Sequence, residues 1–316
     1  MNRLLILLFL LLINFKLPAQ EIAFTISEKD LVPEGITFDP VENTFYLSSI
    51  FKNKIVVRST NTANDFIKAT SNGFAGGVGL HVDSARRILW ACSGNILGKK
   101  FRTGIFAYDL RTGKLIKKVF YPIGSTKYFF NDLVIANNGE IYITNTPDHS
   151  IWKWGMNSDR PIKLNLSDSI EYPNGITISP DQKILFLATE KGLVSIDIKS
   201  GITRLIQMPA EPVTSIDLDG ILFYKNSIIG VQNGFASNSD MQVVRYFLSG
   251  DFTTIEKTEI IDKGNKYFDI PTTLTLANGD LYVIANSQID NLDQENLKIK
   301  DPGKLTETVI LKYKLR

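Results

Sequence analysis

The sequence predicts an all-β fold, a six-bladed β-propeller whose ring is closed by a strand from the N-terminal end. Three observations predict it. Apolar residues recur with period 2 throughout, and no stretch keeps a period of 3.6. Six segments share one pattern: a small or polar residue, Gly, an aliphatic residue, then strand, turn and second apolar strand. Successive segments lie 43 to 53 residues apart, the length of one four-stranded blade.

The six segments are PEGITFDPVENTFYLSS from Pro33, GVGLHVDSARRILWACSG from Gly77 and FNDLVIANNGEIYITNT from Phe130, followed by PNGITISPDQKILFLAT from Pro173, LDGILFYKNSIIGVQNG from Leu218 and PTTLTLANGDLYVIANS from Pro271. Third and fourth strands follow in several units. Gly104–Tyr121 folds back around Arg111-Thr112-Gly113, and Gly192–Met208 around Lys199-Ser200-Gly201. The last unit shows three strands, ending in TVILKYKL. EIAFTIS (Glu21–Ser27) is the expected fourth, and its pairing would remove the open edges of the ring.

A chain that is 44% hydrophobic and 22% charged can bury a core, and residues 21–316 read as one propeller domain. Residues 1–20 differ. A short positive start, an apolar run from Leu4 to Phe15 and the sequence Leu17-Pro18-Ala19-Gln20 read as a signal peptide. The run is too short for a stable membrane span, so a secreted or periplasmic protein is expected. Its removal takes away Arg3 and Lys16 and lowers the formal charge from +2 to 0. A neutral chain lacks the electrostatic footprint of a nucleic-acid binder. The single cysteine, Cys92, sits in an apolar run and reads as strand core.

The first strand of each propeller blade lines the central channel, so the six starting residues converge at one end of it. Here they are Glu34, Val78, Asn131, Asn174, Asp219 and Thr272. Val78 and Thr272 carry neither charge nor amide. The other four present two carboxylates and two amides, hard oxygen donors that suit Ca²⁺ best, with Zn²⁺ or Mn²⁺ as alternatives. Without a cation the two carboxylates should repel, and at least one pKa should rise. A plainer reading competes, because Asn174-Gly175 and Asp219-Gly220 are also common turn dipeptides. Asp217, two residues from Asp219, competes with it for the ligand position.

Pro-Glu-Gly at 33–35, Asn-Asp at 131–132, Pro-Asn-Gly at 173–175 and Asp-Gly at 219–220 resemble the gluconolactonase–regucalcin family of six-bladed propellers, and more distantly the paraoxonases, from about residue 30 to 285. The resemblance implies that Glu34, Asn131, Asn174 and Asp219 bind a divalent metal. It further implies hydrolysis of a small-molecule lactone or ester, with Asp219 as general base. One departure stands out: gluconolactonase-like members usually carry Arg where this chain has Phe129, which exchanges a polar sugar contact for an aromatic face. The position where paraoxonases place a histidine is Val78. His81 and His149 read as strand packing and turn.

The second strand of each blade returns to the same face. Its last residues, Ser48, Ser93, Asn145, Glu190, Asn233 and Asn286, are expected at the pocket rim. Phe129, Asn145, Glu190, Asn233 and Asn286 are the candidate substrate contacts. Loops 93–103, 233–242 and 287–306 would shape the mouth. Lys99, Lys100 and Arg102 read as solvated charge. The alternative function is a non-catalytic binding module with a structural or vestigial metal site, because a propeller fold alone licenses no activity.

Overall fold

Six four-stranded antiparallel sheets stand around a common axis. The computed structural model describes residues 20–59, 62–95, 102–121, 127–209, 213–234, 240–293, 296 and 298–315. Residues 1–19 of the expected signal peptide, Lys99 and Lys100, and parts of loops 93–103, 233–242 and 287–306 lie outside these residues.

The inner strands, in order around the ring, are Pro33–Asp39, Gly77–Asp83, Phe130–Ile135, Ile176–Ile178, Leu218–Phe223 and Leu274–Ala277. Each packs against the inner strand of the next blade, and the sixth packs against the first. Between each pair of neighbouring blades lies one apolar cluster. Trp90, Cys92 and Ile105 of blade 2 meet Phe130, Leu133, Ile143 and Trp154 of blade 3. The Trp90 and Trp154 rings cross edge to face at 5.6 Å, worth about 0.5–1.5 kcal/mol beyond their burial. Both faces of the middle strands are covered, so ILWAC and ILFLA read as unbroken apolar runs. Cys92 is fully buried within such a run, and burial raises its thiol pKa well above the usual range.

The sixth sheet is closed as expected. Glu21–Ile26 pairs antiparallel with Thr308–Lys314, with Ile22 opposite Leu311 and Thr25 opposite Val309. Lys312 then bridges Glu21 and Asp280, 3.1 Å from each. One small element departs from the repeat. Between the second and third strands of blade 6, a hairpin of Leu292–Asp293 and Lys298–Ile299 folds over the mouth and packs on Val32 and Ile50. Among the described residues no helix is long and apolar enough to cross a membrane.

Asn174-Gly175 and Asp219-Gly220 are not turns. Gly35, Gly79, Gly175 and Gly220 sit inside the ring with ordinary negative-side backbone angles, and what they provide is room. A Cβ on Gly175 would lie 2.3 Å from the Asp219 carbonyl oxygen. One on Gly35 would lie 2.5 Å from that of Val78. The approach is sealed by hydrogen bonds between blades. Gly175 N donates to Asp219 O at 3.1 Å and Gly220 N to Thr272 O at 3.0 Å. The Thr272 and Thr273 hydroxyls both donate to Glu34 O, at 2.9 and 2.6 Å. Thr272 therefore clasps the sixth blade to the first.

Candidate active site

Two backbone devices turn the ring residues toward the axis. The residue two places before the ring position is left-handed in five blades: Val32, Gly76, Tyr172, Asp217 and Ile270, with φ between 45° and 59°. For β-branched Val32 and Ile270 this conformation is costly and persists only where the surrounding packing enforces it. Four inner strands then carry a bulge, between Pro33 and Ile36, Gly77 and Leu80, Phe130 and Leu133, and Leu218 and Ile221. A bulge re-aims the side chains it spans, and those spanned include Glu34, Val78, Asn131 and Asp219.

Glu34, Asn131, Asn174 and Asp219 line one cavity of about 220 Å³, together with Asn233 and Thr272. Its remaining wall is apolar: Ile50, Val78, Phe129, Ile270 and Ile289. Phe129 occupies the one matching position that is not left-handed, and its ring packs on Gly94, where a Cβ would come within 2.4 Å of it. Ile289 is supplied by the blade 6 insertion.

The hydrogen bonds leave oxygen facing the cavity. Asn131 donates its amide nitrogen to Thr146 Oγ1 at 3.2 Å, which leaves Oδ1 as its acceptor. Asn233 donates to Asp219 Oδ2 at 3.0 Å, and Asn174 also donates to that carboxylate. Among the described residues, buried Glu34 Oε2 has no hydrogen-bond partner. Burial, then the Asp219 and Asp132 charges, push the Glu34 carboxyl well above the usual carboxylate range. Burial raises Asp219 to about 7 against the opposing pull of the Asn233 and Asn174 amides.

The structure separates the other candidates. Asn233 reaches the ring cavity, but as the donor that holds Asp219. Glu190 lines a neighbouring cavity with Asp217. The left-handed Asp217 breaks the strand alternation, which sends its side chain there and leaves Asp219 in the ring. Asn145 and Asn286 are corrections to the expected rim. Asn145 is fully buried, accepts from Phe129 N at 2.8 Å and donates to Lys127 O. Asn286 accepts from Val309 N at 2.7 Å and donates to Glu307 O. Both amides tie backbone within their own blades and line neither cavity. Ser48 and Ser93 likewise bond to buried backbone. His81 lies in the inner strand of blade 2 and lines the channel below the ring. His149 is left-handed and accepts from Tyr172 N through Nδ1.

One acidic residue escaped the repeat analysis. Asp132 occupies the position that is glycine in four blades, so the channel below the ring holds a third carboxylate. It accepts from Leu133 N at 2.8 Å and Ile176 N at 3.3 Å, and burial raises it to about 7. The signal was its register, one residue after Asn131.

The residues fit a hard divalent cation. Among the described residues buried Glu34 Oε2 lacks a partner, and the converging side chains offer oxygens. Among the described residues no three His, Cys, Asp or Glu side chains cluster closely enough to hold a metal. A cation there would need the amide oxygens of Asn131 and Asn174 as further ligands, with water, a donor set that would suit Ca²⁺ better than Zn²⁺.

Comparison with known proteins agrees with the architecture. A family model described as the SMP-30/gluconolactonase/LRE-like region matches residues 32–196. No curated protein sequence matches the chain. Among solved structures, the gluconolactonase XC5397 from Xanthomonas campestris superposes with a TM-score of 0.60 at 14% identity, covering 92% of this chain and 88% of that one. A luciferin-regenerating enzyme gives 0.61 at 11%, covering 94% and 95%. Virginiamycin B lyase from Staphylococcus aureus gives 0.60 at 14%, covering 94% and 100%. Such low identities establish the shared propeller and leave the chemistry to the site.

Proposed function

We propose that this chain, which belongs to the SMP-30/gluconolactonase/LRE-like family, is an exported, metal-dependent hydrolase of lactones or related esters. The observation that carries the reading is the convergence of Glu34, Asn131, Asn174 and Asp219 on one cavity, with a buried Glu34 oxygen that has no partner. A divalent cation held by these four residues, Ca²⁺ by its preference for hard oxygens, would supply Lewis-acid polarisation of a carbonyl. Asp219 takes the proton of the attacking water. Its carboxylate is aimed by the Asn174 and Asn233 amides. Ile50, Val78, Phe129, Ile270 and Ile289 hold an apolar substituent and exclude bulk water. With Phe129 in place of arginine, the wall favours alkyl or aryl lactones over sugar lactones.

The test is a panel of lactones and aryl esters, with and without chelator. Asp219→Asn should lower turnover by about 10²- to 10⁴-fold while the fold is kept. Unchanged turnover in that variant removes Asp219 from the role. The aromatic face of Phe129 favours a second reading, a non-catalytic module for a hydrophobic ligand. Folded protein that hydrolyses nothing in the panel would select it.

A further inference from the structure

The ring cavity has a neighbour that its chemistry does not use. It measures about 370 Å³, within the size range of small-molecule sites, and is lined by Tyr172, Thr189, Glu190, Asp217 and Leu218. Asn174 and Asn233 line both cavities, so the two are contiguous across the amides that hold Asp219.

We propose that this side cavity binds an organic cation, a substituted ammonium group, carried by the molecule whose reacting end enters the ring. Glu190 and Asp217 line it, and among the described residues neither forms an ion pair within 4 Å. Among the described residues, enclosed Asp217 Oδ2 has no hydrogen-bond partner. The nearby Lys191 ammonium pairs instead with Glu171. The third wall is aromatic and fixed in place. Tyr172 is left-handed, its backbone N–H donates to His149 Nδ1 at 3.2 Å, and the two rings meet edge to face at 4.4 Å. Half of Tyr172 remains exposed, so its ring is available to the cavity mouth. An aromatic ring and two carboxylates lining one cavity attract an alkylated ammonium ion: the ring quadrupole and both charges act on a weakly hydrated cation. A neutral alkyl group would leave both carboxylates without a counter-charge, and an anion would be repelled by them. The cation site stands on this cavity alone; its part in choosing a substrate rests on the proposed hydrolase reading.

Choline and 3,3-dimethylbutan-1-ol have the same shape and differ in charge, and they make the test. Calorimetric titration into the calcium-loaded protein should show choline binding roughly tenfold or more tighter than the neutral alcohol. Glu190→Gln, Asp217→Asn and Tyr172→Leu should each weaken choline by about three- to tenfold. If the hydrolase reading holds, the acetate esters of the two alcohols should show the same preference in kcat/KM, reduced in the same variants. Contrast in binding with no hydrolysis of either ester would sink the hydrolase reading and leave the cation site standing. Equal binding of the two alcohols, or variants that bind choline as the wild type does, overturns the proposal. So does a loss of bound calcium in Glu190→Gln, which would make the cavity a metal site.

Discussion

Substituting Gly175 by alanine probes the feature on which the ring geometry depends. The new methyl would stand 2.3 Å from Asp219 O, 2.9 Å from Ile221 N and 3.1 Å from Gly220 Cα. All three are backbone atoms of the next blade, and none can rotate away. A carbonyl oxygen needs about 3.4 Å from a methyl carbon, so blade 5 must retreat by about 1 Å there. Retreat stretches the Gly175 N to Asp219 O hydrogen bond, now 3.1 Å, beyond useful length. Overpacking costs about 1–3 kcal/mol and the lost bond about 1 kcal/mol, so the variant should lose about 2–4 kcal/mol. For a chain of this size that lowers Tm by about 3–6 °C. Urea titration and scanning calorimetry measure both quantities. Gly250→Ala is the control, because among the described residues no atom beyond its own chain neighbours lies within 4 Å of its Cβ position, and its φ is not left-handed. If Gly175→Ala melts with that control, the blades are not in close contact and the room argument is wrong.

Two other perturbations address the frame. Arg87 of blade 2 donates to both oxygens of fully buried Asp39 in blade 1, at 2.6 and 2.7 Å. Arg87→Ala strands that carboxylate and should cost about 3 kcal/mol in urea unfolding, and a loss below about 1 kcal/mol would contradict the pairing. Burial depresses His81 from 6.5 to about 4. Because the folded state binds the proton more weakly than the unfolded state, His81 favours folding fully above pH 6.5, and that contribution is lost as pH falls toward 4. The channel leaves His81 partly accessible, so about 3 kcal/mol is the upper bound. His81→Gln should flatten this part of the profile relative to wild type, measured as unfolding free energy between pH 7.5 and 4.5. Parallel profiles would refute the assignment.

The fold was legible because its repeat is carried by hydrophobic pattern, and a strand paired on both sides must alternate or run apolar. The closing strand was legible from a count, since the last unit showed three strands where the others allow four. The ring was legible as register: Glu34, Asn131, Asn174 and Asp219 stand at one position of six aligned units. What the pattern hid was backbone. Nothing in the letters Val32 or Ile270 announces a left-handed φ, since the packing that enforces it comes from elsewhere in the chain. The bulges were hidden for the same reason. The rim assignments of Asn145 and Asn286 failed because strand-end amides look alike whether they face solvent or tie down a loop. Asp132 was overlooked because its neighbour Asn131 already explained the motif. Only the glycines at the matching position of four other blades show a carboxylate there to be exceptional.

The central claim is a cation site built from four blades, and calorimetric titration of Ca²⁺ into metal-stripped protein tests it most directly. Wild type should bind one ion per chain, and Asn174→Ala and Glu34→Gln should each weaken that binding by about tenfold or more while the protein stays folded. Folded wild-type protein that binds no calcium, or binding that both variants leave untouched, would contradict the site and the hydrolase built on it.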